Sequence, residues 1–221
     1  MDTIKIIGIT GIIGSGKSTV ANLIREMDYP VLSSDENAKL LMVENQQLVS
    51  DIIDLFGENA YNEDKTLNKK FLSDNVFSSE KNSNANLEKL NRLVHPAVIE
   101  YNLEQIEKLV DNGEDLIFVE SALIFELGME EGYDYVINVD VPIEQAVQRT
   151  IKRTGLSRDN IINRMNIQLH ANEKKKFADF TIDNSKGIDD LKIATDFILS
   201  LIKDLPSKDF ISNKLDDETT N

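Results

Sequence analysis

Residues 11–19 read Gly-Ile-Ile-Gly-Ser-Gly-Lys-Ser-Thr, and Gly11, Gly16, Lys17 and Ser18 satisfy the pattern G-x-x-x-x-G-K-[ST]. Each residue type answers a need of polyphosphate binding. Glycines let the backbone turn so that successive N–H groups face phosphate oxygens, the lysine adds a cation, and the Ser18 hydroxyl can ligate Mg²⁺. By average composition the pattern alone arises by chance in about 1% of chains of this length. Context narrows it further, because the motif needs a buried strand before the loop and a helix after it. Both are written here: Ile4 to Ile9 is rich in β-branched residues, and Val20, Leu23, Ile24 and Met27 recur at helical spacing.

Phosphoryl transfer from a nucleotide also needs a carboxylate near the accepting hydroxyl and cations around the moving group. Asp35, just beyond the apolar stretch Tyr29–Leu32, is the candidate base; the alternative is a helix N-cap, since Ser34 and Asp35 precede a helical pattern from Glu36 to Leu41. Glu120 closes the run Leu116-Ile117-Phe118-Val119 and suits a magnesium-bound water, with a helix cap or salt bridge as the alternative. Cations are concentrated in residues 147–177, where Arg149, Lys152, Arg153, Arg158, Arg164, Lys174, Lys175 and Lys176 face only Asp159 and Glu173, a +6 segment in a chain of net charge −15. Arg149 and Arg153 are four apart and share one helical face. Such a run reads either as a solvated face or as an anion-contacting one. Gly155 interrupts it where a helix can end and a hinge can form, so a hinged helical lid over 147–177 is expected. His95 precedes Pro96 and is biased toward extended backbone, which fits a helix-to-helix hinge or an acceptor contact. His170 is the second and last histidine; with no Cys and no two-His spacing, a zinc site is not supported.

These residues must be positioned by a sheet. Strands are expected at Ile4–Ile9, Tyr29–Leu32, Asp115–Glu120, Tyr133–Val139 and Phe180–Ile182. Helices are expected over 17–27, 36–55 with a break, 67–77, 84–94, 97–111, 142–154, 158–177 and 188–203. Strands separated by helices predict a doubly wound α/β fold, a mostly parallel five-stranded sheet with helices on both faces and its ligand crevice at the carboxyl ends of the strands. Residues 11–17, Asp35 and Glu120 all fall at those ends. About eighty residues between the second and third strands carry only helical signals, too many for one crossover, and predict a helical insert for a second substrate. Residues 205–221 lack sustained periodicity and are expected as a flexible acidic tail.

Composition sets the outer limits. A chain of 221 residues with 41% hydrophobic content can bury one full core with a modest insert. The absence of Cys fits a reducing compartment, no apolar run reaches the ~20 residues of a membrane span, and the chain starts straight into a strand, so a cytoplasmic protein without a membrane role is expected. The acidic balance argues against nucleic-acid partners, and no obligate protein partner is implied. Two GTPase-like matches, Asp54-Leu55-Phe56-Gly57 and Asn213-Lys214-Leu215-Asp216, lack their context: the first lies in an amphipathic helical pattern and the second in the polar tail.

The ordered set Gly8 to Thr19, Asp35 with Ala38, Leu67 to Val76-Phe77, His95-Pro96, Leu123-Ile124-Phe125-Glu126 and Asp183-Asn184 resembles the dephospho-coenzyme A kinase family over about residues 4–200. The resemblance implies a P-loop NTPase fold and ATP-dependent, Mg²⁺-assisted phosphorylation of the ribose 3′-hydroxyl of dephospho-coenzyme A. It implies one kinase domain over 1–204, with an acceptor-binding insert at about 36–112 and the lid at about 147–177. It further implies catalytic roles for Asp35, Lys17, Arg149 and Arg153, and ATP contacts from Gly11, Gly14, Ser15, Gly16, Lys17, Ser18, Thr19 and Asn184. Acceptor contacts fall to His95, Phe125 and Glu126, and the metal to Ser18 with Glu120 through water. Three positions depart from the family pattern: Ile12 replaces a glycine, Ser33 the first Asp of Asp-x-Asp, and Ala122 the Pro of Pro-Leu-Leu-Phe-Glu. A nucleoside or nucleotide monophosphate kinase of the same architecture, and a noncatalytic nucleotide-binding switch, are the alternative readings.

Overall fold

The structure is a computed structural model that describes residues 4–76 and 83–208. Five strands, β1 (Lys5–Thr10), β2 (Val31–Ser33), β3 (Leu116–Glu120), β4 (Tyr135–Asp140) and β5 (Phe180–Asp183), form one sheet in the order β2-β3-β1-β4-β5, with every pairing parallel. All five residues of β3 and five of the six in β1 are buried, as expected where helices cover both faces of a parallel sheet. Ile7, Ile9, Phe118, Ile137, Val139 and Ile182 pack with Val20 and Ile24 of α1 (Lys17–Arg25) and with Leu191, Leu199 and Ile202 of α9 (Ile188–Asp204). Each large apolar side chain buried this way contributes about 1.5–3 kcal/mol. Strand positions agree with the sequence reading to within two residues. The order places β1 between β3 and β4, so the connections on its two sides diverge, and the loop leaving β1 opens at the switch point where α/β sheets bind ligands.

The chain divides into two compact units: the stretches up to Ser33 and from Lys108 onward form the sheet-bearing unit, and Ser34–Glu107 the helical one. The helical unit holds α2 (Ser34–Glu44), α3 (Gln46–Phe56), α4 (Lys69–Val76) and most of α5 (Ser83–Asp111), packed around Leu41, Leu48, Ile52, Ala60, Leu72, Val94 and Val98. The expected break in 36–55 falls at Asn45, whose side chain caps α3 by accepting from Leu48 N at 3.0 Å. Asp54 to Phe56 are helical, as their amphipathic pattern requires; Phe77 and the 213–216 match lie outside the described residues.

Two expectations are corrected here. Pro96 does not hinge two helices: α5 runs unbroken for 29 residues through it. An internal proline costs a helix about 3 kcal/mol, and the burial of Val94 and Val98 on either side of Pro96 in one core offsets that cost. The tail does not begin at 205. Tyr135 OH donates to Pro206 O at 2.8 Å, and buried Asp134 accepts from Ser207 Oγ at 2.8 Å, Lys208 N at 2.5 Å and, through its other oxygen, Ile6 N at 2.7 Å. A buried carboxylate needs such donors, and they hold the chain through Lys208. Residues 209–221 lie outside the described residues.

Candidate active site

In the sheet-bearing unit, Gly14 and Gly16 take φ values of 79° and 100°. A side chain at Gly14 would collide with Ala146 O and Thr150 Oγ1 of α6 (Ile143–Thr154), and one at Gly16 with the Asn184 amide. Both positions therefore demand glycine for backbone angle and for space. The loop rests directly on α6, whose Ala146, Val147 and Thr150 are buried while Arg149 and Arg153 reach a cleft of about 350 Å³. Gly14, Gly16, Thr19, Arg149, Arg153, Asn184, Lys186 and Gly187 line that cleft. Asn184 is a joint: its Nδ2 donates to Ser15 O at 2.7 Å, its carbonyl accepts from Arg149 Nη2 at 2.9 Å, and its own N–H donates to Asp140 O at 2.8 Å.

Lys17 Nζ donates to Gly11 O at 3.1 Å and Ile12 O at 3.4 Å, folded onto the loop it belongs to. Ser18 Oγ donates to Glu120 Oε1 at 2.7 Å. Glu120 is paired in register with Ile9 and with Ser33, at the carboxyl edge of the sheet. A hydroxyl and a carboxylate in contact form a hard-oxygen donor set. One or two protein oxygens of this kind, beside waters and substrate phosphates, are what Mg²⁺ takes; among the described residues there is no cluster of three or more His, Cys, Asp or Glu.

The basic segment 147–177 separates into parts. Arg158 pairs with Glu144 at 2.6 Å and Lys175 lies 3.6 Å from Asp140. Lys174, fully buried, pairs with Glu126 at 2.7 Å and donates to Ala122 O at 2.9 Å. Burial pushes the Lys174 ammonium below its usual pKa and Glu126 opposes the shift. Glu126 also accepts from Leu169 N at 2.8 Å, so the structure engages it inside the fold. Its neighbour Phe125 is buried, with its ring 5.8 Å from that of Phe177. Replacing Glu126 with Gln keeps an acceptor for Leu169 and leaves the Lys174 charge without its counter-ion. The expected cost is about 1.5–3 kcal/mol, read from urea unfolding.

The expected helix 158–177 is two, α7 (Arg158–Met165) and α8 (Ala171–Phe177), and the contacts of Gln168, Leu169 and Lys174 account for the break. The segment of the expected lid, 147–177, includes parts of three helices, α6, α7 and α8. Its first turns belong to α6, packed on the phosphate loop, and α8 is fastened through Lys174.

In the helical unit, Asp35 is the second residue of α2 and exposed. The N-cap alternative is corrected: Ser34 is already helical, so Asp35 lies inside the first turn of α2 and not at its cap position. Buried Asn102 of α5 steadies the turn around it, accepting from Asn37 Nδ2 at 2.7 Å and donating to Ser34 Oγ at 3.1 Å. His95 is half-buried in mid-α5, and burial lowers its pKa.

Two of the three departures find a physical account. Ile12 takes no left-handed backbone and is buried with Val141 and Ala146, so a side chain fits there. Ala122 contributes its carbonyl, which any residue supplies. Ser33 is buried beside Glu120 in register.

Sequence reasoning missed Gln168, Lys174, Asn102 and the cleft residues Lys186 and Gly187. Lys174 carried a misleading signal, as one of many cations. Gln168 and Asn102 carried none, being polar residues in polar surroundings.

The family model described as dephospho-CoA kinase matches residues 5–190. A dephospho-CoA kinase of Listeria innocua is 34% identical over 185 residues, 84% of this chain and 90% of the relative. One of Carboxydothermus hydrogenoformans is 32% identical over 210 residues, 95% of this chain and 98% of the relative. The solved dephospho-CoA kinase from Campylobacter jejuni superposes with a TM-score of 0.65 at 28% identity, covering 90% of this chain and 96% of that one.

Proposed function

The chain belongs to the dephospho-CoA kinase family, and from that premise we propose how its residues divide the work of the reaction. The reaction is ATP-dependent phosphorylation of dephospho-CoA in coenzyme A biosynthesis. The observation that supports the division most is the convergence of Gly14, Gly16, Thr19, Arg149, Arg153 and Asn184 on one cleft, beside a loop that ends in Lys17 and Ser18.

Backbone amides within residues 11–19 cradle the polyphosphate, apart from the Ile13 N–H, which Gln168 holds. Lys17 leaves the carbonyls of Gly11 and Ile12 for β/γ-phosphate oxygens. Arg149 and Arg153 neutralise charge that spreads over the moving phosphoryl group. The 3′-oxygen of the acceptor's ribose attacks the γ-phosphorus, the bond to the β–γ bridging oxygen breaks, ADP leaves with that electron pair, and Asp35 takes the hydroxyl proton. Ser18, with Glu120 through water, would hold Mg²⁺, which when bound neutralises phosphate charge. His95 and Phe125 are proposed acceptor contacts, whereas Glu126 shapes the site through Lys174 and Leu169. A cytoplasmic setting, where ATP is held, is part of the same proposal; among the described residues no helix is long and apolar enough to cross a membrane.

The test is an acceptor panel. ADP release from ATP is expected with dephospho-coenzyme A and not with adenosine or AMP. Faster release with either nucleoside or nucleotide would favour the related kinases, and binding of ATP without transfer to any acceptor would favour a switch.

A further inference from the structure

Two side chains from distant parts of the sequence fasten the backbone of the phosphate loop. One is Asn184. The other is Gln168, between α7 and α8, which nothing in the phosphate-loop pattern calls for. Gln168 is only 7% exposed although it lies in no helix or strand. Its Oε1 accepts from Ile13 N at 2.9 Å, and its Nε2 donates to Ala122 O at 3.2 Å. The amide thus uses its acceptor end on the loop and its donor end on the turn that follows β3, two residues beyond Glu120.

The place where it holds the loop is the place that most needs holding. Ile13 lies between Gly11 and Gly14, both at positive φ, and belongs to neither β1 nor α1. Gly11 and Gly14 bracket the Ile12–Ile13 pair and leave it more freedom to swing as a unit than other residue types there would. An anion site made of backbone amides binds well only when the amides are arranged before the anion arrives, because ordering them at binding subtracts from affinity. Ala122, the far anchor, is itself steadied by Lys174 and so does not move freely.

We propose that Gln168 is a positioning residue of the phosphate site: by tying Ile13 N–H to the Ala122 carbonyl it fixes the first half of the loop relative to the strand end that carries Glu120, so that polyphosphate meets a preformed cradle. Gln168 touches no reacting atom and acts through the loop. Its contribution falls on the phosphates of the nucleotide and not on the nucleoside. The inference rests on residues 11–19 being the triphosphate site.

Gln168→Met keeps the length and volume of the side chain and deletes both hydrogen bonds. Calorimetric titration of the full chain with ADP and with adenosine reads the two parts of the nucleotide separately. The Kd for ADP is expected to rise about 3- to 10-fold, the range of one neutral hydrogen bond, with the Kd for adenosine unchanged. In turnover, KM for ATP should rise by the same factor while kcat stays within about twofold, a split that general loosening of the fold would not produce. An unchanged Kd for ADP, or equal weakening of ADP and adenosine, would overturn the proposal. Should Gln168→Met fail to fold, hydrogen exchange at the Ile13 amide of the parent protein without nucleotide decides. Protection is expected, and exchange at the rate of an open loop amide would overturn it. A parent protein that does not bind ADP would instead overturn the triphosphate-site reading, and this inference with it.

Discussion

Replacing Lys17 with Ala is expected to lower phosphoryl transfer by about 10³-fold or more while the protein remains folded, because a preorganised cation at a phosphoryl group acts on charge that grows toward the transition state. Lys17 stands at the junction of loop and helix α1, and its Nζ donates to loop carbonyls in the structure. Removing those hydrogen bonds costs about 1 kcal/mol, small beside the activity lost. The measurements are kcat for ADP formation and the midpoint of urea unfolding on the same preparation. Near-parental turnover, or a stability loss like that of a core deletion, would count against the assignment.

Asp35→Asn is the second large effect. If the carboxylate takes the acceptor's proton, turnover should fall by about 10²–10⁴-fold. Stability should change little: Asp35 is exposed, and what the substitution removes is a favourable charge in the first turn of α2, worth about 0.3–1 kcal/mol. ATP affinity should stay near parental, since Asp35 is assigned to the acceptor.

The parts of this protein that were legible in its sequence are those where chemistry or burial restricts residue choice over consecutive positions. The phosphate loop is one, because Gly14 and Gly16 meet Ala146, Thr150 and Asn184 where a Cβ would stand. The strands are another, since a parallel strand covered on both faces writes a continuous apolar run such as Leu116 to Val119. What stayed illegible depends on residues far apart in the chain. Pro96 is a helix breaker by local rules, and only the shared burial of Val94 and Val98 carries α5 through it. Lys174 looks like its neighbours Lys175 and Lys176, yet Glu126, 48 positions earlier, receives it in the interior. Gln168 has no local signature because both of its partners, Ile13 and Ala122, lie on other elements. The boundary of the tail was missed for the same reason: Asp134 draws in Ser207 and Lys208.

The division of labour between loop and base is tested most directly by a rapid-quench single turnover of Asp35→Asn, with ATP labelled at the γ-phosphate and both substrates saturating. Steady-state rates mix chemistry with product release, whereas this experiment reads the transfer step alone. The account predicts that the variant binds ATP as the parent does and transfers the label to dephospho-coenzyme A about 10²–10⁴-fold more slowly. Transfer at the parental rate would contradict it, and would leave the acceptor's proton to a group other than Asp35.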